Sequence, residues 1–165
     1  MKKLGLLVLL IFLLTGCSAQ ETFETISDDV LQSAMAPRGQ ISITLPEDAA
    51  VPSMDNDEAG KIYLCDGYTV TVQTLSGGDL NATLRNVTGY EKDRLTVIQT
   101  ELSGICRYDC AWSTVGEGGD WVARTTVLDD GNYHYAVSVM AESSVAGEQS
   151  EAWQTVLDSV CLSND

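Results

Sequence analysis

Apolar and polar residues alternate along this chain in three rhythms. Residues 4–14 (LGLLVLLIFLL) are apolar without interruption. From residue 41 the period is two: Ile41, Ile43 and Leu45 alternate with Ser42 and Thr44 and stop at Pro46, which predicts a half-buried strand. Residues 62–65 and 68–75 continue as two more strands joined by Asp66-Gly67, a dipeptide suited to a type I′ turn. Ser76-Gly77-Gly78 breaks the run and the period becomes helical. Asp79 is placed to cap a helix with Leu80, Leu84 and Val87 on one face, and Gly89 is placed to end it.

Past that helix the period returns to two. Residues 95–102, 107–115, 121–128 and 132–141 predict a meander whose later turns are Gly116-Glu117-Gly118-Gly119-Asp120 and Asp129-Asp130-Gly131. Tyr108, Cys110 and Trp112 share one strand face, as do Tyr133, Tyr135, Val137 and Val139 on the last strand, and these faces are expected to form the core. His134 falls opposite that aromatic face, which predicts an exposed or edge-facing imidazole. Trp153, Val156, Leu157 and Val160 then give the i, i+3, i+4, i+7 stripe of a helix packed on the sheet. The expected fold is therefore α+β, an antiparallel sheet with a β-meander flanked by two main helices, in a single domain over residues 39–165.

The order of strand, hairpin, helix, meander and terminal helix resembles the PsbP-like superfamily over residues 40–162. So do the Pro-ended first strand, the strand entry Asp129-Asp130-Gly131-Asn132-Tyr133-His134-Tyr135, and the last helix from Ala152 through Trp153 to Val160. The resemblance implies an α+β sandwich and a non-enzymatic accessory or binding module, a type found among small bacterial surface and periplasmic lipoproteins. It carries over no functional residues, because the family shares no active site and the metal ligands of its photosynthetic members find no matching motif here.

The apolar run changes the picture of where the domain works. It follows Lys2 and Lys3 and spans eleven residues, too few to cross a hydrocarbon core and suited to a signal-peptide core. It closes on Leu14-Thr15-Gly16-Cys17, which resembles the lipobox of bacterial lipoprotein precursors. That resemblance implies a diacylglyceryl (palmitate-type) anchor on Cys17 and cleavage of residues 1–16 before it. Two acyl chains hold a protein stably where one does not. Residues 17–38 then read as the lipidated cysteine and a polar tether, with one or two helical turns after Ser27. The expected location is the extracytoplasmic face of a bacterial cell membrane, reached through the lipid.

Charge narrows the partners. The precursor has 9 Lys and Arg against 24 Asp and Glu, and Lys2 and Lys3 go with the signal, so the mature chain carries a formal charge of -17. Such a field repels phosphate backbones and anionic head groups, which excludes nucleic acid as a partner and leaves the lipid as the only hold on the membrane. A protein or cell-wall component is the expected partner.

Apart from Cys17 the cysteines are Cys65, Cys106, Cys110 and Cys161, an even number that permits two disulfides outside the cytosol. Three pairings can be drawn. Cys65 with Cys161 and Cys106 with Cys110 is favoured, although the second requires the chain to bend between its members. No cofactor or metal is expected: His134 is the only histidine, and no nucleophile elbow or phosphate loop is present. Asp55-Asn56-Asp57-Glu58 lacks the later carboxylates of a calcium loop and reads as a solvated loop. The alternative function is a carboxylate-based hydrolase of an envelope glycan, which needs two acids facing across a cleft.

Overall fold

The turn residues place the hairpins, and the sheet grows from them. In the computed structural model the described residues are 37–163 except 48, 51–53, 57–59 and 117. The segment 1–16, Cys17 and the turns after Ser27 lie outside them. The described strands are β1 (Gln40–Ser42), β2 (Met54–Asn56), β3 (Gly60–Cys65), β4 (Tyr68–Ser76), β5 (Val97–Leu102), β6 (Ile105–Gly116), β7 (Gly119–Asp129), β8 (Tyr133–Glu142) and β9 (Cys161–Ser163). The helices are α1 (Leu80–Thr88) and α2 (Ser150–Asp158). Seven strands form one antiparallel sheet in the order β2-β3-β4-β8-β7-β6-β5, and β1 pairs with β9 in a separate ribbon.

Three expectations are corrected here. The strand around Ile41 is shorter than its alternation suggests and joins the end of the chain instead of the main sheet. Residues 54–56 extend the sheet edge against Gly60–Ile62 instead of looping in solvent; Asp57 and Glu58 lie outside the described residues. At Asp66-Gly67 only Gly67 has positive φ, 77°, the pattern of a type II turn, since type I′ needs both central residues there. The two-residue turn with that property is Ser103-Gly104, φ 54° and 80°, joining β5 to β6.

Asp79 caps α1 as expected, its carboxylate accepting from Ala82 N at 3.1 Å, and Gly89 ends it at φ 80°. The helix buries Leu84 against Tyr108, Cys110, Val127 and Ala136. On the other side α2 buries Trp153, Val156 and Leu157 against Val70, Tyr135, Val137 and Val139. Alternate residues of β8 contribute to the two clusters, so α1 and α2 cover opposite faces of one sheet. Both aromatic faces are core, as expected, but they belong to two cores and not one. His134 is consequently buried, fully, on the α1 side, where the sequence pattern had placed it toward solvent.

Candidate functional site

Cys110, the central thiol of β6, is closed off. Cys110 is 6% exposed within the α1-side core, and burial, with a contribution from Asp109, pushes its thiol up to about 11. It is no redox centre, since the thiolate is the reactive form. Cys106 lies four residues earlier on the same uninterrupted strand, roughly 13 Å away at strand spacing and past the ~7 Å Cα limit of a bridge. The expected Cys106–Cys110 disulfide is therefore absent, and both are thiols. Cys65–Cys161 is absent as well. Cys161 is an exposed thiol beyond the C-terminal end of α2, whereas Cys65 belongs to the β3–β4 turn, where Gly67 meets Gln149 at the helix's N-terminal end. Nine helical residues, about 13 Å of rise, separate those two ends.

A second group has the residue types of a triad without its access. His134 Nδ1 lies 2.7 Å from Thr83 Oγ1, and its Nε2 stands 3.4 Å from Asp129 Oδ2 without making a hydrogen bond. Thr83 is 3% exposed beneath α1. A nucleophile must meet substrate; this hydroxyl meets only the imidazole, and the pair fastens α1 to β8.

The open feature lies on the α2 side, where the sheet runs out past the helix. Cross-strand register sets Ala111 beside Arg124 in one row, just past the start of β5, and Ile98, Asp109 and Thr126 in the next. Thr100, Arg107 and Leu128 form a third, all pointing to the same face. The C-terminal half of α2 and β9 form the opposing wall. Two cavities result. One, of about 450 Å³, is lined by Arg94, Thr96, Ile98, Ala111, Arg124 and Leu157 among others. The other, of about 530 Å³, lies over Leu102, Ile105, Leu128, Val160 and Leu162.

Arg107 stands between them. Its guanidinium donates to both oxygens of Asp109, 2.8 and 3.0 Å, to Thr126 Oγ1 at 3.2 Å and to Leu157 O at 3.1 Å. Thr126 Oγ1 in turn donates to Asp109 Oδ1 at 2.6 Å. A cation at the carbonyl end of α2 also suits the helix dipole. Arg107 and Asp109 thus neutralise each other and divide the trough.

The remaining cations are placed unevenly. Arg85 pairs with Glu91, Arg38 stacks over Tyr133 and Lys92 over Tyr108. Arg94 and Arg124 line the 450 Å³ cavity and have no carboxylate or ring partner among the described residues. Neither was singled out by the sequence, because they lie thirty residues apart with no motif around them.

Two acids facing across a cleft do not appear in the trough. Glu101 and Asp158 both border the second cavity, but Glu101 alternates with Thr100 and Leu102 and sits opposite Cys106. Its carboxylate therefore points to the α1 face. Among the described residues no three His, Cys, Asp or Glu side chains gather to hold a metal, and no helix is long and apolar enough to cross a membrane.

No protein-family model matches the chain, and no curated protein matches it. Its fold is similar to that of a protein from Bacteroides thetaiotaomicron, with a TM-score of 0.51 at 10% identity, over 76% of this chain and 46% of that one. This chain thus spans less than half of the Bacteroides protein. It is also similar to LpqN of Mycobacterium tuberculosis, a protein involved in cell envelope biogenesis. There the TM-score is 0.50 at 12% identity, over 78% of this chain and 87% of LpqN. At such identities the likeness is one of fold.

Proposed function

We propose that this chain is a lipid-anchored binding or accessory module of a bacterial cell envelope, held to the extracytoplasmic face of the membrane through Cys17. The observation that carries the binding role is the trough on the α2 side: it is an open, chemically mixed surface, whereas Cys110 and Thr83 are buried. Binding sites combine apolar lining with a few placed polar groups, and both cavities have that composition. The lipobox-like Leu14-Thr15-Gly16-Cys17 supports the anchor. The likeness in fold to LpqN, itself involved in cell envelope biogenesis, supports the compartment. The element order over residues 40–162 supports a PsbP-like domain of the non-enzymatic kind, with residues 39–165 as its extent.

The anchor is tested by fractionating cells that express the wild type and Cys17→Ser, with labelled palmitate in the medium. The wild type should take up label and sediment with membranes. The variant should take up none and leave the membrane fraction while keeping the circular dichroism of the folded domain. A variant that stays on washed membranes in mild salt overturns the reading, because it would show an attraction other than the lipid.

A further inference from the structure

The cavity lined by Arg94 and Arg124 has the chemistry of an anion site, and we infer that it binds the phosphate monoester of a small organic molecule. This deepens the binding-module reading and rests on it. The chain has 24 acids and few bases, so almost any cation can find a carboxylate. Arg85 and Arg107 do. Arg94 and Arg124 instead share one cavity, without carboxylate or aromatic partners among the described residues. The one carboxylate in the lining, Asp109, is already held by Arg107 through both oxygens, which leaves the two guanidinium groups for an anion.

The local geometry leaves room for that anion. Ala111, paired with Arg124 across β6 and β7, carries a single methyl and is exposed, and Thr96, just before β5, lines the same cavity. The floor beside Arg124 is therefore open. One guanidinium fork already satisfies both oxygens of a carboxylate, whereas a phosphate monoester offers three free oxygens and up to two charges to two forks at once. Ile98 and Leu157 form an apolar flank suited to the organic body. The distant acids do not cancel the site, since at physiological ionic strength charges beyond about 8 Å are largely screened, and the near one, Asp109, is neutralised by Arg107.

The test titrates the full lipidated chain, in non-ionic detergent at physiological ionic strength, with glycerol 3-phosphate, inorganic phosphate and glucuronate by calorimetry. Glycerol 3-phosphate should bind saturably and more tightly than the other two. Arg94→Gln and Arg124→Gln should each weaken it at least about tenfold, and the double variant should abolish it. Melting temperatures should stay at the wild-type value, because neither arginine holds a partner in the fold. Equal or tighter binding of glucuronate overturns the phosphate assignment, and equal binding of inorganic phosphate overturns the organic body. Absence of saturable binding at millimolar concentration, or unchanged binding in the double variant, overturns the site. None of these results depends on whether Cys17 carries lipid, so failure of the site and failure of the anchor are read separately.

Discussion

Tyr135 joins the first residues of the folded domain to the turn that precedes its own strand. Its hydroxyl accepts from Gly39 N at 2.8 Å and donates to Asp130 Oδ2 at 2.8 Å, while Asp130 Oδ1 also accepts from Asn132 N and Tyr133 N. Burial alone would raise the Asp130 carboxyl, but the donors from Tyr133, Asn132 and Tyr135 outweigh it and hold it below the usual range. Burial, then Asp130, pushes the Tyr135 hydroxyl up to about 12.

Tyr135→Phe should therefore lower stability by about 1 kcal/mol, the effect of removing hydrogen bonds to two half-buried partners that water can partly replace. The sign with pH follows from linkage. A phenol raised from about 10 in the unfolded chain to about 12 in the fold stabilises fully below pH 10 and loses that contribution as pH rises toward 12. Urea titrations of the wild type should show falling stability over that window and the variant a shallower fall; parallel curves would remove Tyr135 from the account. Asp130 acts oppositely, its contribution lost as pH falls below the ordinary carboxylate range.

Thr83 and His134 provide the second prediction. Thr83→Val keeps the shape of the buried side chain and removes the hydroxyl that meets Nδ1 at 2.7 Å. With Nε2 already lacking a hydrogen bond, the fully buried imidazole would then have none. A loss of about 1–3 kcal/mol in denaturant unfolding is expected. An unchanged midpoint would mean that α1 is held by Leu84 and its apolar neighbours alone.

The caps of α1 were legible because their chemistry is local: Asp79 and Gly89 bracket it, and the meander strands fall close to where their alternation placed them, although the type I′ turn assigned to Asp66-Gly67 belongs to Ser103-Gly104. What failed was the inference from one strand to its surroundings. His134 alternates with Tyr133 and Tyr135, and on a sheet with one wet face that would point it at water. Here the second face is roofed by α1, which alternation within β8 cannot reveal. The ribbon of β1 with β9 was missed for a related reason, since three residues after a helix are too few to show a period. Arg94 and Arg124 had no sequence signal at all. Only the folded sheet, in which β7 pairs with β6 and the turn before β5 closes over them, brings the two to one cavity.

Thiol labelling provides a third test. Cys161 is exposed, Cys106 half-buried and Cys110 buried with its thiol pushed up to about 11. Under native conditions at pH 8, a Cys17→Ser chain should label first at Cys161 and last at Cys110, whose reaction should wait for unfolding. Mass spectrometry of the peptides should find the thiols of Cys106, Cys110 and Cys161 unbridged. A Cys106–Cys110 bridge in the native protein would require β6 to break where the structure has it continuous.

Two arginines on the same trough should respond in opposite ways to the same substitution. Arg107 ties β6, β7 and the last turn of α2 together through Asp109, Thr126 and the Leu157 carbonyl, and its side chain is only 24% exposed. Arg107→Gln leaves Asp109 without its counter-ion and the Leu157 carbonyl without this donor. A loss of about 2 kcal/mol is expected, below the 3–5 kcal/mol of a fully buried pair because solvent screens part of the interaction. Arg94→Gln removes a side chain with no such partner and should shift stability by less than about 0.5 kcal/mol. Paired denaturation curves decide the matter. If Arg94→Gln destabilised as much as Arg107→Gln, Arg94 would be part of the framework, and its place beside the cavity would need no ligand to explain it.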